Sequence, residues 1–140
     1  MSRRRWVVLG AVIILSIGVG LYIKSLIDRR SLMARQKQYA AALRDYSVAL
    51  QPGKSRREVE AYLELRHQPF RHMCCVGVHR STYADLVKVG QENAPWYCNK
   101  YNIYVAFEFD PTEGQTAILE AHDSDKLQDA TLFPWLEECL

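Results

Sequence analysis

Residues Trp6 to Ile23 run for eighteen positions without a charge, WVVLGAVIILSIGVGLYI. A helix needs about 20 apolar residues, within a range of ~17–25, to cross the hydrocarbon core of a bilayer. Leu26 and Ile27 extend the run past Lys24, whose long stem can reach the headgroups. Trp6 and Tyr22 stand near its ends, where amphipathic rings prefer the interface. The run therefore predicts a transmembrane anchor over residues 6–27, behind a basic cytoplasmic segment at 1–5. A cleaved signal peptide is the rival reading. It would need small residues at the end of the run, but Leu21-Tyr22-Ile23-Lys24-Ser25-Leu26 is bulky.

Basic residues flank the run on both sides, with Arg3, Arg4 and Arg5 before it and Lys24, Arg29, Arg30, Arg35 and Lys37 after it. The short leading cluster favours an inner (plasma) membrane protein that spans the bilayer once. Its C-terminal domain, residues 28–140, would lie outside the cytoplasm.

Four cysteines, Cys74, Cys75, Cys98 and Cys139, all follow the run. In a small exported domain an even count suggests two disulfides. Bonding distance and Cβ aim disfavour a bridge between neighbours. The expected scheme joins Cys74 and Cys75 separately to Cys98 and Cys139. Buried free thiols are one alternative; a zinc site drawn from His67, His72, Cys74, Cys75 and His79 is another, but the cysteines lack the usual C-x₂₋₄-C spacing.

Ser31 to Leu50 reads as a helix, with Leu32, Tyr39, Leu43, Tyr46 and Leu50 on one stripe. That stripe could pack on its own domain or pair two chains as a homodimer through residues 31–50. Pro52-Gly53 ends it. Ser55-Arg56-Arg57-Glu58 is a capping box that starts a second helix, with Val59, Tyr62 and Leu63 on its apolar face. Beyond Pro69 the pattern turns to strands. Cys74, Val76 and Val78 alternate, Leu86 to Val89 is short, and Tyr101 to Phe109 is the clearest. Asp110-Pro111-Thr112-Glu113-Gly114 reads as a turn, and Thr116 to Ala121 as the returning partner. Leu132, Phe133, Leu136 and Leu140 recur at near-helical spacing, which predicts a short C-terminal helix. The expected fold is α+β: the membrane helix, then two helices on a three- or four-stranded antiparallel sheet, then the short helix.

The segment Leu50-Gln51-Pro52-Gly53-Lys54-Ser55-Arg56-Arg57-Glu58-Val59-Glu60-Ala61-Tyr62-Leu63 resembles the hallmark of the BamE-like (SmpA/OmlA) superfamily. In that family a leucine, a glycine and a capped helix precede a β-meander. Trp96-Tyr97, Ile103 to Asp110 and Gly114 are similar to its later strands. The resemblance implies two helices on a three-stranded sheet and a non-catalytic envelope assembly or binding module. This chain has an apolar run in place of an acylated cysteine, and Leu65-Arg66-His67-Gln68-Pro69 in place of the family's ending after the helix.

Catalytic patterns are weak. Cys75 with His72 or His79 could be written as nucleophile and base. Asp110, Glu113, Asp123 and Asp125 could collect calcium, but their spacing fits no EF-hand. Charge is uneven: residues 31–80 carry nine Lys/Arg and four Asp/Glu, and residues 81–140 carry three and eleven. With the two signs nearly balanced overall, at net +2, a nucleic-acid partner is not expected.

The expected role is a non-catalytic, membrane-anchored binding or assembly module of the cell envelope. It would have no cofactor or metal, and would touch an envelope protein through Trp96, Tyr97, Tyr104 and Trp135. Two other classes stay open. One is a bitopic scaffold subunit of a secretion or pilus machine, with an oligomerising stalk. The other is a thiol- or zinc-dependent enzyme.

Overall fold

The computed structural model describes residues 3–76, 83–110 and 120–140, with side chains of residues 3–9 and 11 left aside. Helix α1 spans Arg3–Ala49 and α2 spans Arg56–Leu65. Four strands follow: β1 Phe70–Cys74, β2 Tyr83–Glu92, β3 Cys98–Asp110 and β4 Lys126–Cys139. They form one antiparallel sheet in the order β1-β2-β3-β4. The chain divides into two compact units, residues 1–38 and 39–140.

The membrane anchor is corrected. Among the described residues no helix is long and apolar enough to cross a membrane. Within α1 charge returns at Lys24, and Asp28, Arg29 and Arg30 follow in the same helix. The single-pass inner-membrane placement, which rested on that anchor, falls with it.

The stripe on the later part of α1 is used within the second unit. Tyr39 and Leu50 are buried, and Leu43, Tyr46 and Ala49 pack against the main core. The Tyr46 and Phe107 rings meet edge to face at 5.4 Å.

Helix α2 starts as its sequence dictates. The Ser55 hydroxyl accepts from the Glu58 amide at 3.3 Å, and the Glu58 carboxylate accepts from the Ser55 amide at 2.7 Å. Val59 and Leu63 are fully buried on its inner face. The turn before it is tied to the start of β4: Gly53 N donates to Leu127 O, and Leu127 N donates to Lys54 O.

Strand β3 lies in the interior of the sheet and is buried on both faces from Asn102 to Phe109. Successive side chains on a strand point to opposite faces. Val105, Phe107 and Phe109 join Leu50, Val59 and Leu63 in the main core, while Tyr104 and Ala106 join Ala84 and Leu86 in a second cluster.

Three local expectations change. The C-terminal segment is a strand: β4 pairs with β3 from Lys126↔Asp110 to Cys139↔Cys98. The near-helical spacing of its leucines is overridden by this long ladder. Pro134 would cost a helix interior a hydrogen bond, but it is tolerated on an edge strand such as β4. The first strand lies earlier than the alternation of Cys74, Val76 and Val78 suggests. It ends at Cys74 because Cys75 turns into the left-handed region at φ 62°. The expected return strand at 116–121 falls mostly outside the described residues, as does the turn over 111–114. Its place beside β3 is taken by β4.

Candidate functional site

Arg56 is the first residue of α2, a position where charged side chains usually face solvent. Here it is 1 % exposed. Its NH1 donates to Asp85 Oδ1 at 2.5 Å, and its NH2 donates to the Tyr83 carbonyl and lies 3.5 Å from Asp125 Oδ2. The guanidinium carbon stands 4.0 Å over the Phe109 ring, so one face of the cation rests on an aromatic quadrupole.

Asp85 projects from near the start of β2 and Asp125 from the segment leading into β4, and both are fully buried. Asp125 also accepts from the His122 amide at 2.9 Å, while its carbonyl accepts from Arg56 N. Backbone and side chain of Arg56 are thus held by the same residue.

His72 on β1 opposes Asp85 in the β1–β2 register. Its Nδ1 is 2.8 Å from Asp85 Oδ1 and its Nε2 is 3.9 Å from Glu60 Oε1 on α2. Burial pushes the Asp85 carboxyl above the ordinary range, against the pull of Arg56 and His72. Burial, and then the nearby Asp85 charge, push Glu60 up as well. Asp85 Oδ2, Asp125 Oδ1 and Arg56 Nε are buried without a hydrogen-bond partner. Burying charge is costly unless it is paired, so this is the most demanding polar arrangement among the described residues.

The cysteines pair differently from the expected scheme. Cys98 and Cys139 face each other across β3 and β4 and are bonded, and Cys74 is bonded to its neighbour Cys75. Register decides this: once β4 is a strand, Cys139 arrives opposite Cys98 and neither is left for Cys74 or Cys75. His72 turns to Asp85 and Glu60 instead of joining these cysteines, and His79 lies outside the described residues. Of the calcium candidates, Asp125 is committed to Arg56, Asp110 is exposed opposite Lys126, and Glu113 lies outside the described residues.

The four expected contact aromatics separate. Trp96 is 90 % exposed and Tyr97 44 %, and their rings meet edge to face at 5.8 Å. Trp135 is partly exposed and stacks on Phe133. Tyr104 is buried: its hydroxyl donates to Glu137 Oε1 at 2.7 Å and accepts from Arg71 at 2.8 Å. Burial and the Glu137 hydrogen bond raise the Tyr104 hydroxyl's pKa.

Arg56, Asp85 and Asp125 were not singled out together by the sequence. One signal was present: Asp85 stands where the alternation of Tyr83, Asp85, Val87 and Val89 calls for an inward-facing apolar residue. Comparison with known proteins finds no matching family, no matching curated protein and no matching solved structure.

Proposed function

We propose that the chain is a non-catalytic binding module that contacts a protein partner through the end of the sheet carrying Trp96 and Tyr97. The observation that supports this is the 90 % exposure of Trp96 in the β2–β3 connection, a position that burial within the domain does not require. Aromatic anchors of this kind dominate protein interfaces, and exposed apolar clusters mark interaction sites. The connection has a firm base. Cys98 is bonded to Cys139, and the Leu140 amide donates to the Tyr97 carbonyl at 2.9 Å. Leu140, whose amide makes that bond, is itself fully exposed and adds apolar surface at this end of the sheet. A rigid base lowers the ordering cost of binding.

The resemblance of Leu50–Leu63 to the BamE-like superfamily points to the same kind of module. A photo-crosslinking residue placed at position 96 in the native host tests the reading, with the exposed position 57 as control. A discrete heterologous adduct at 96 and none at 57 is expected. No adduct at 96, or equal adducts at both positions, overturns it.

A further inference from the structure

Beyond that contact end, we propose that Glu60, His72 and Asp85 form a binding site for one divalent transition-metal ion of the zinc class. Each residue offers one ligand atom, and the three atoms lie within 4.8 Å of one another. Ligand atoms around a tetrahedral ion with bonds of about 2.0–2.1 Å stand roughly 3.3 Å apart. Small side-chain movements close the difference, and the side chains that must move have room. Those of His72 and Glu60 are 47 % and 23 % exposed, whereas Asp85 is fixed at 0 %.

Two further observations point to a cation. Asp85 Oδ2 is buried with no partner, an acceptor left over after Arg56 and His72 have taken Oδ1. The charge is also unbalanced. Glu60, Asp85 and Asp125 are gathered around Arg56, with Asp123 near enough to act on Glu60. Carboxylates outnumber the one guanidinium here, and a bound dication would offset that excess. An imidazole with two carboxylates suits zinc, cobalt or nickel better than calcium or magnesium, which prefer all-oxygen shells. Three protein ligands leave a position for water on the solvent side of His72.

The test uses the full oxidised chain, stripped with chelator, titrated with Zn²⁺ by calorimetry and with Co²⁺ by visible absorption. One ion per chain is expected. His72→Ala and Glu60→Ala, which alter side chains with solvent access and leave the core intact, should each weaken binding at least about tenfold. The double variant Cys74→Ser/Cys75→Ser should bind as the parent does. Absence of stoichiometric binding overturns the proposal. So does binding unchanged in both His72→Ala and Glu60→Ala, or binding lost only in the cysteine variant.

Discussion

Tyr39 occupies the space that a side chain at Gly90 would need: a Cβ built on Gly90 would stand 2.2 Å from the ring's Cε1. The Tyr39 hydroxyl continues past this point to donate to Glu92 Oε1 at 2.9 Å. The register of β2 against β3 shifts between Lys88 and Gly90, so the strand is irregular where the ring lies against it. Gly90→Ala should therefore destabilise the second unit by about 1–3 kcal/mol, the usual cost of overpacking. Urea denaturation in parent and Tyr39→Ala backgrounds checks this. The alanine should cost much less once the ring is gone, and an equal cost in both backgrounds would refute the steric account.

Removing Arg56 should be among the most damaging single changes. Arg56→Met keeps apolar bulk over Phe109 but leaves Asp85 and Asp125 buried without their shared cation. Breaking one side of a buried pair typically costs about 3–5 kcal/mol. The double variant Arg56→Met/Asp85→Asn should recover part of that loss, because one uncompensated carboxylate has been removed. Denaturation midpoints of the three proteins decide it, and a double variant no better than Arg56→Met would count against the pairing.

The capping box predicts both a stability loss and a pH dependence. Ser55→Ala should cost roughly 0.5–2 kcal/mol, the range for a lost N-cap. Glu58 is held below the ordinary glutamate range, first by the Ser55 backbone amide and then by its hydroxyl. A depressed folded pKa means that the contribution is complete above the unfolded value of about 4.3 and is lost as pH falls through the folded value. Glu58→Gln keeps an acceptor but cannot titrate. Thermal melts from neutral pH downwards should show the parent's advantage over Glu58→Gln shrinking on acidification. An advantage that grows towards low pH would contradict the sign.

The two bridges should differ in effect. Cys98–Cys139 closes a separation of 41 residues, and losing it through Cys98→Ser should cost about 2–4 kcal/mol. Cys74–Cys75 closes no loop beyond its own pair, so Cys74→Ser/Cys75→Ser should cost far less. Hydrogen exchange adds a local readout. Amides around Tyr97 and at the end of β4 should lose protection in Cys98→Ser and keep it in the other variant.

Much of the fold was legible locally. Ser55 and Glu58 announce α2 because the capping interaction joins residues three apart. The alternation from Ile103 to Phe109 announces β3 because a strand's two faces are written in neighbouring residues. The short helix expected around Leu132 to Leu140 fails for the converse reason. The leucine spacing there suits a helix, but β3 offers the segment a ladder running from Asp110 to Cys98. The site was harder still. Asp85 interrupts an apolar alternation, yet nothing near it in the chain names Arg56, 29 residues away, as its counter-ion.

By itself the sequence determined where elements begin and alternate: the cap at Ser55, the break at Pro52-Gly53, and the two-sided strand around Val105. Those are decided by bonds and faces only a few residues apart. The tertiary structure decided which cysteines meet, which aromatics stay in water, and where Arg56, Asp85, Asp125 and His72 converge. Such choices depend on register and burial across the whole sheet, where a distant partner supplies the free energy that no local pattern records.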